Sequence, residues 1–165
     1  MSDLDTTRPN GNIGAESGPG KGAAFAASPP DVESPRRIPP RSARVLVMDD
    51  EAAIRLMAER MLERCGYSVA TAPDAAQTIA RYRQALEEGH PFDVVIMDLI
   101  IPGGPGGMQA IQDLLAIDPH ARVIASSGYS EFPVMADPCA FGFKAAVPKP
   151  YFMRALCDAV ARVLA

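Results

Sequence analysis

DVVIMDLIIPGGPGG, residues 93–107, is the stretch that decides the fold. Its apolar run, Val94–Met97, is far shorter than a membrane span and lies between two aspartates, which reads as a buried strand. Asp98 then stands alone before a glycine-rich loop. Similar short runs recur on either side: RVLVM at 44–48, SVATA at 68–72, RVIAS at 122–126 and AAV at 145–147. Amphipathic stretches separate them, over 51–64, 74–87, 107–117 and 151–164, with a short interrupted helix over 131–141. In the first, Ile54, Met57, Ala58, Met61, Leu62 and Cys65 fall on one face, and Gly66 sits where a helix stop belongs. The last repeats the spacing with Leu156, Ala159, Val160, Val163 and Leu164. Strict alternation of strand and helix predicts an α/β domain, a parallel sheet with helices on both faces.

The 165 residues, 48% hydrophobic and 22% charged, suffice for one domain with a sizeable core. A net charge of −4 argues against nucleic acid as the main partner, because phosphate binding wants a basic face. No apolar run approaches membrane-spanning length, and MSDLDTTRPNGNIG lacks the basic-then-apolar pattern of a secretory signal. No membrane partner and a cytoplasmic location are therefore expected. Cys65, Cys139 and Cys157 are odd in number and widely spaced, offering neither a disulfide framework nor a CxxC metal site. They are expected to pack on helices as small apolar groups.

Residues 1–43 read differently. They hold seven of the sixteen prolines and balance five acidic against five basic residues, without sustained periodicity. Such a segment cannot bury enough apolar surface to offset the entropy of ordering, so a disordered Pro/Gly-rich tail is expected, followed by one domain over 44–165. GPGKG at 18–22 is not a phosphate loop, since Ala15 and Gly22 stand where a glycine and a Ser or Thr are needed.

In an open parallel sheet, function lies beyond the carboxyl ends of the strands. Asp49, Asp50 and Glu51 follow the first strand, Asp98 the third, Ser127 and Gly128 the fourth, and Lys149 the fifth. Carboxylates crowded together oppose one another's ionisation, and a divalent cation relieves that cost. Hard oxygen ligands select magnesium. The chemistry that fits is phosphoryl transfer to a carboxylate, with the cation, an ammonium and a hydroxyl meeting the oxygens of the transferring group. Asp98, alone at its strand end, is the better nucleophile; the adjacent Asp49 and Asp50 are the better metal ligands.

VLVMDDE, VVIMDLIIPGGPGG, VIASSGYS and VPKPY, in this order, resemble the receiver domain of two-component response regulators. The PGGxGG loop, the SSGYS stretch and PVMA at 133–136 look more narrowly like receivers of hybrid sensor histidine kinases. The resemblance implies a flavodoxin-like (βα)5 fold, doubly wound, with five parallel strands in the order 2-1-3-4-5. It gives Asp98 the phosphoacceptor role, Ser127 that of the switch hydroxyl and Lys149 that of the phosphate contact. Magnesium would be held by Asp49, Asp50, Asp98 and the backbone carbonyl of Ile100. The Lys149–Pro150 bond is often cis in the family. A sensor histidine kinase or a histidine phosphotransfer protein would donate the group, and a downstream protein target would read it. Dimerisation is common among receivers, and no pattern here decides for or against a homodimer.

Some positions depart from the family's pattern. Ala146 stands three residues before the lysine, where an aromatic often reports phosphorylation, so an aromatic-rotamer switch there is excluded. Pro105 restricts the acceptor loop, and Pro148 costs a sheet hydrogen bond unless its strand has ended or lies on an edge. Pro133 and Pro138 make a long fourth helix doubtful. His90 and His120 sit beside prolines in loops and read as surface residues; Tyr129 either packs or shapes water access. The chain ends at Ala165, directly after the last helix, so a single-domain regulator acting through protein contacts is expected, a phosphoacceptor with autophosphatase activity rather than an enzyme in its own right. The alternative is a phosphorylation-independent, receiver-like scaffold. An aspartyl-phosphate phosphatase is disfavoured, since Ile100 occupies the position where its second carboxylate belongs.

Overall fold

The computed structural model of the protein describes residues 42–165. The expected disordered tail therefore lies outside the described residues, apart from Ser42 and Ala43. Five strands, β1 (Arg44–Met48), β2 (Ser68–Ala72), β3 (Val94–Asp98), β4 (Val123–Ser127) and β5 (Ala145–Pro148), form one parallel sheet in the order 2-1-3-4-5. The helices are α1 (Ala52–Arg64), α2 (Ala75–Glu87), α3 (Gly107–Ile117), α4 (Pro133–Ala136) and α5 (Met153–Leu164), with a 3-10 turn at Cys139–Phe141. This is the flavodoxin-like, doubly wound arrangement. Among the described residues no helix is long and apolar enough to cross a membrane.

Side chains alternate across a strand, so each strand feeds two cores. Val45, Val47, Val94, Ile96, Ile124 and Val147 pack with Ala58 and Leu62 of α1 and Leu156, Ala159 and Val160 of α5. Leu46, Met48, Val95, Met97, Val123 and Ala125 pack on the other face with α2, α3 and α4. All five residues of β3 are buried, as expected of a central strand covered on both sides. Gly66, with φ of 87°, ends α1, and the Tyr67 N–H turns back to the Leu62 carbonyl. Asp74 caps α2 by accepting from the Gln77 N–H.

The stretch between β4 and β5 holds only the four residues of α4 and the 3-10 turn: Pro133 fixes the helix start, and Pro138 lacks the N–H that a continuing helix needs. Pro148 is the last residue of an edge strand, where its missing N–H costs least.

The cysteines require a correction. Cys65, at the end of α1, and Cys157, on α5, are joined in a disulfide with Cα atoms 6.4 Å apart, rather than packing as separate thiols. Their separation of 92 residues in sequence hid the pairing, which arises because α1 and α5 cover the same face of the sheet. Cys139 is a free thiol on the 3-10 turn, and it is exposed.

Candidate functional site

Two strand ends, those of β1 and β3, bring the acidic residues together. Asp49 leaves β1 fully buried, held by its N–H to the Ala72 carbonyl (3.1 Å) and by its Oδ1 accepting from the Glu51 N–H (2.9 Å). Asp50 follows it and is exposed. Asp98 closes β3 opposite Ser126 of β4, with the next peptide anchored by the Leu99 N–H on the Ser126 carbonyl (2.9 Å). Carboxylate oxygens of Asp49, Asp50 and Asp98 lie within 4.8 Å of one another.

Lys149 follows the edge strand β5, at the same end of the parallel sheet. Its N–H bonds the Ser127 carbonyl at 2.8 Å, and its Nζ stands 2.6 Å from Oδ2 of both Asp49 and Asp98. Burial alone would lower the ammonium's pKa, but the hydrogen bonds and charges of the two aspartates outweigh it and the net shift is upward. Burial pushes the Asp98 carboxyl up, and the bonds from Lys149 and from the Ile100 N–H (3.2 Å) only partly offset it. The peptide between Lys149 and Pro150 is cis.

Ser127 is buried, and its Oγ accepts from the Tyr129 N–H at 3.0 Å, which leaves its hydroxyl proton available to donate. Tyr129 is 65% exposed, its ring meeting Phe132 edge-on, so it lies over the loop rather than in the core. Ile100 is partly exposed on the loop after Asp98. His90 and His120 are both exposed, away from any cluster of metal-ligating side chains found among the described residues.

Three residues of the site's surroundings, Arg55, Ser126 and Tyr151, were missed from the sequence. Arg55, in the first turn of α1, donates to the carbonyls of Asp49 (2.7 Å) and Asp50 (2.8 Å), fixing the loop that carries both acids. A cation at a helix N-terminus opposes the macrodipole, and that misplacement was the signal of a local partner. Ser126 and Tyr151, both buried, share a hydroxyl–hydroxyl hydrogen bond of 2.7 Å. Nothing in the spacing of the two residues signals it.

The oxygen donor set fits a small divalent cation. The buried Oδ2 of Asp49 and that of Asp98 share one ammonium, the Nζ of Lys149 at 2.6 Å from each. Three carboxylates facing one ammonium also leave an excess of negative charge that hard-oxygen coordination of magnesium would balance.

Residues 45–161 match the response regulator receiver domain family. The chain is similar to the chemotaxis protein CheY of Bacillus subtilis, 30% identical over 73% of this chain and 97% of that protein. It is also similar to sporulation initiation phosphotransferase F of the same organism, 26% identical over 73% of this chain and 93% of that one. Among solved structures, a response regulator receiver domain protein from Clostridium thermocellum superposes with a TM-score of 0.64 at 28% identity, covering 74% of this chain and 94% of that one.

Proposed function

The chain belongs to the response regulator receiver family of two-component signalling, and from that premise we propose that Asp98 accepts a phosphoryl group from a phosphohistidine. The observation that carries the reading is the ammonium of Lys149 at 2.6 Å from both Asp49 and Asp98. A carboxylate oxygen of Asp98 attacks phosphorus, the P–N bond to the donor imidazole breaks, and the electron pair leaves with that nitrogen, giving an acyl phosphate. Lys149 exchanges its contact with Asp98 for the incoming phosphoryl oxygens, and the Ser127 hydroxyl donates to another. Asp49, Asp50, Asp98 and the Ile100 carbonyl would hold magnesium, which supplies compensation for the charge on the transferring group. Arg55 keeps the loop of the two acids in place.

In this reading the protein is a single-domain regulator, a phosphoacceptor rather than an enzyme in its own right, with self-catalysed dephosphorylation. Its donor is a sensor histidine kinase or a histidine phosphotransfer protein, and its output is a contact with a downstream protein. Similarity over nearly the whole length of CheY and of phosphotransferase F supports a domain acting alone. The PGGPGG loop and the SSGYS stretch support a closer kinship with receivers of hybrid kinases.

Intact-mass spectrometry after incubation with magnesium and phosphoramidate tests the reading. One phosphoryl increment is expected on the wild type, and none on Asp98→Asn or without magnesium. A wild type that gains no phosphoryl group and binds neither magnesium nor beryllofluoride would leave the chain a receiver-like scaffold.

A further inference from the structure

Lys149 is held by an unusual stretch of backbone. It sits between Pro148 and Pro150, neither of which has an N–H, so Pro148–Tyr151 carries backbone donors only at Lys149 and Tyr151. The Lys149 N–H is bonded to the Ser127 carbonyl at 2.8 Å. The next cross-tie back to β4 is a side chain: the Tyr151 phenol meets the Ser126 hydroxyl at 2.7 Å, with Tyr151 4% and Ser126 0% exposed. Ser126 faces Asp98 in the β3–β4 register, and its carbonyl anchors the peptide that follows Asp98. One residue of β4 thus fastens both the segment behind Lys149 and the strand end that carries Asp98. Burial pushes the Tyr151 phenol up to about 12, so it remains a neutral hydroxyl able to keep this bond across the physiological range.

We propose that Tyr151 and Ser126 are positioning residues for Lys149, their buried hydroxyl pair fixing the proline-flanked segment so that Nζ reaches the phosphoryl group on Asp98. The inference rests on the phosphoacceptor reading above. It deepens that reading by separating two functions of the site: the aspartates hold the cation, and the hydroxyl pair sets the group that meets the phosphoryl oxygens.

That separation gives the test. Calorimetric titration with magnesium alone, and then with beryllofluoride in saturating magnesium, reads the two functions on one folded chain. In Tyr151→Phe the magnesium affinity is expected to stay within about twofold of wild type while beryllofluoride binds about tenfold more weakly, the effect of one buried hydrogen bond. Ser126→Ala gives the same split, and the double variant is no weaker than either single one, since both remove one shared bond. Should Tyr151→Phe fail to fold, as read by circular dichroism, Ser126→Ala carries the test. Beryllofluoride affinity unchanged in the variants, or magnesium and beryllofluoride weakened together, overturns the positioning role. A wild type that binds magnesium but no beryllofluoride overturns the phosphoacceptor reading and this inference with it.

Discussion

A methyl group on Gly106 would lie 2.1 Å from the Leu99 carbonyl oxygen, and one on Gly107 2.8 Å from that of Asp98. Gly106 has an ordinary φ of −81°, so space and not backbone freedom demands glycine there. The start of α3 is pressed against the end of β3 and the residue after it, and a side chain would push it off. Gly106→Ala is expected to destabilise the fold by about 2 kcal/mol, while Gly104→Ala, whose nearest neighbour is the Ile101 Cγ2 at 3.8 Å, costs under about 0.5 kcal/mol. Urea unfolding of the two variants checks the contrast; equal midpoints would show that the loop yields. The sequence marks these glycines as a loop, but the reason for each depends on which backbone atom stands opposite. The same limit applies at Ser126 and Ser127. Adjacent hydroxyls on a strand point to opposite faces; the motif singles out Ser127, and only packing reveals the bond of Ser126 to Tyr151.

Helices α1 and α5 are the elements whose relation the chain pattern concealed. Each is amphipathic in its own right, and each buries its stripe against the same sheet face. Their shared side is what brings Cys65 to Cys157. Closing a loop of this length removes freedom from the unfolded chain, and its loss costs about 2–5 kcal/mol. A reductant is therefore expected to lower the melting temperature of the wild type, and to leave the Cys65→Ser/Cys157→Ser double variant unmoved at its own lower value. Thermal melts with and without dithiothreitol measure this. An unmoved wild type would mean that the bond contributes nothing to stability. The fourth helix, by contrast, was legible in the sequence, since Pro133 fixes its start and Pro138 stops it by loss of a donor.

Across the whole molecule, the ends of β1, β3, β4 and β5 converge on a site whose crowded carboxylates oppose the fold. Asp49 and Asp98 are both buried and share the single ammonium of Lys149, and burial pushes the Asp98 carboxyl up. Magnesium at a hundredfold its dissociation constant is expected to add about 2.7 kcal/mol of stability. Asp49→Asn should melt higher than wild type in EDTA, because one of three crowded carboxylates is gone, and should lose the response to magnesium. Melts in EDTA and in magnesium decide it; a wild type indifferent to the metal would remove the acidic cluster's assigned role. The sequence alone determined the alternation of strand and helix, the two-sided burial of the central strand, and the placing of Asp49, Asp50, Asp98, Ser127 and Lys149 at strand ends. Those features are local, set by periodicity of two or 3.6 residues and by the residue types at the end of each apolar run. Only the tertiary structure decided the Cys65–Cys157 bond, the clamp of Arg55, the tie between Ser126 and Tyr151, and the reach of Lys149 to both aspartates. The physical reason differs between the two kinds. The cysteines, the two hydroxyls and Lys149 with its aspartates are distant in sequence and meet only when the sheet is wound. Arg55 is near in sequence, but its bonds to the Asp49 and Asp50 carbonyls depend on the turn that the folded strand end imposes.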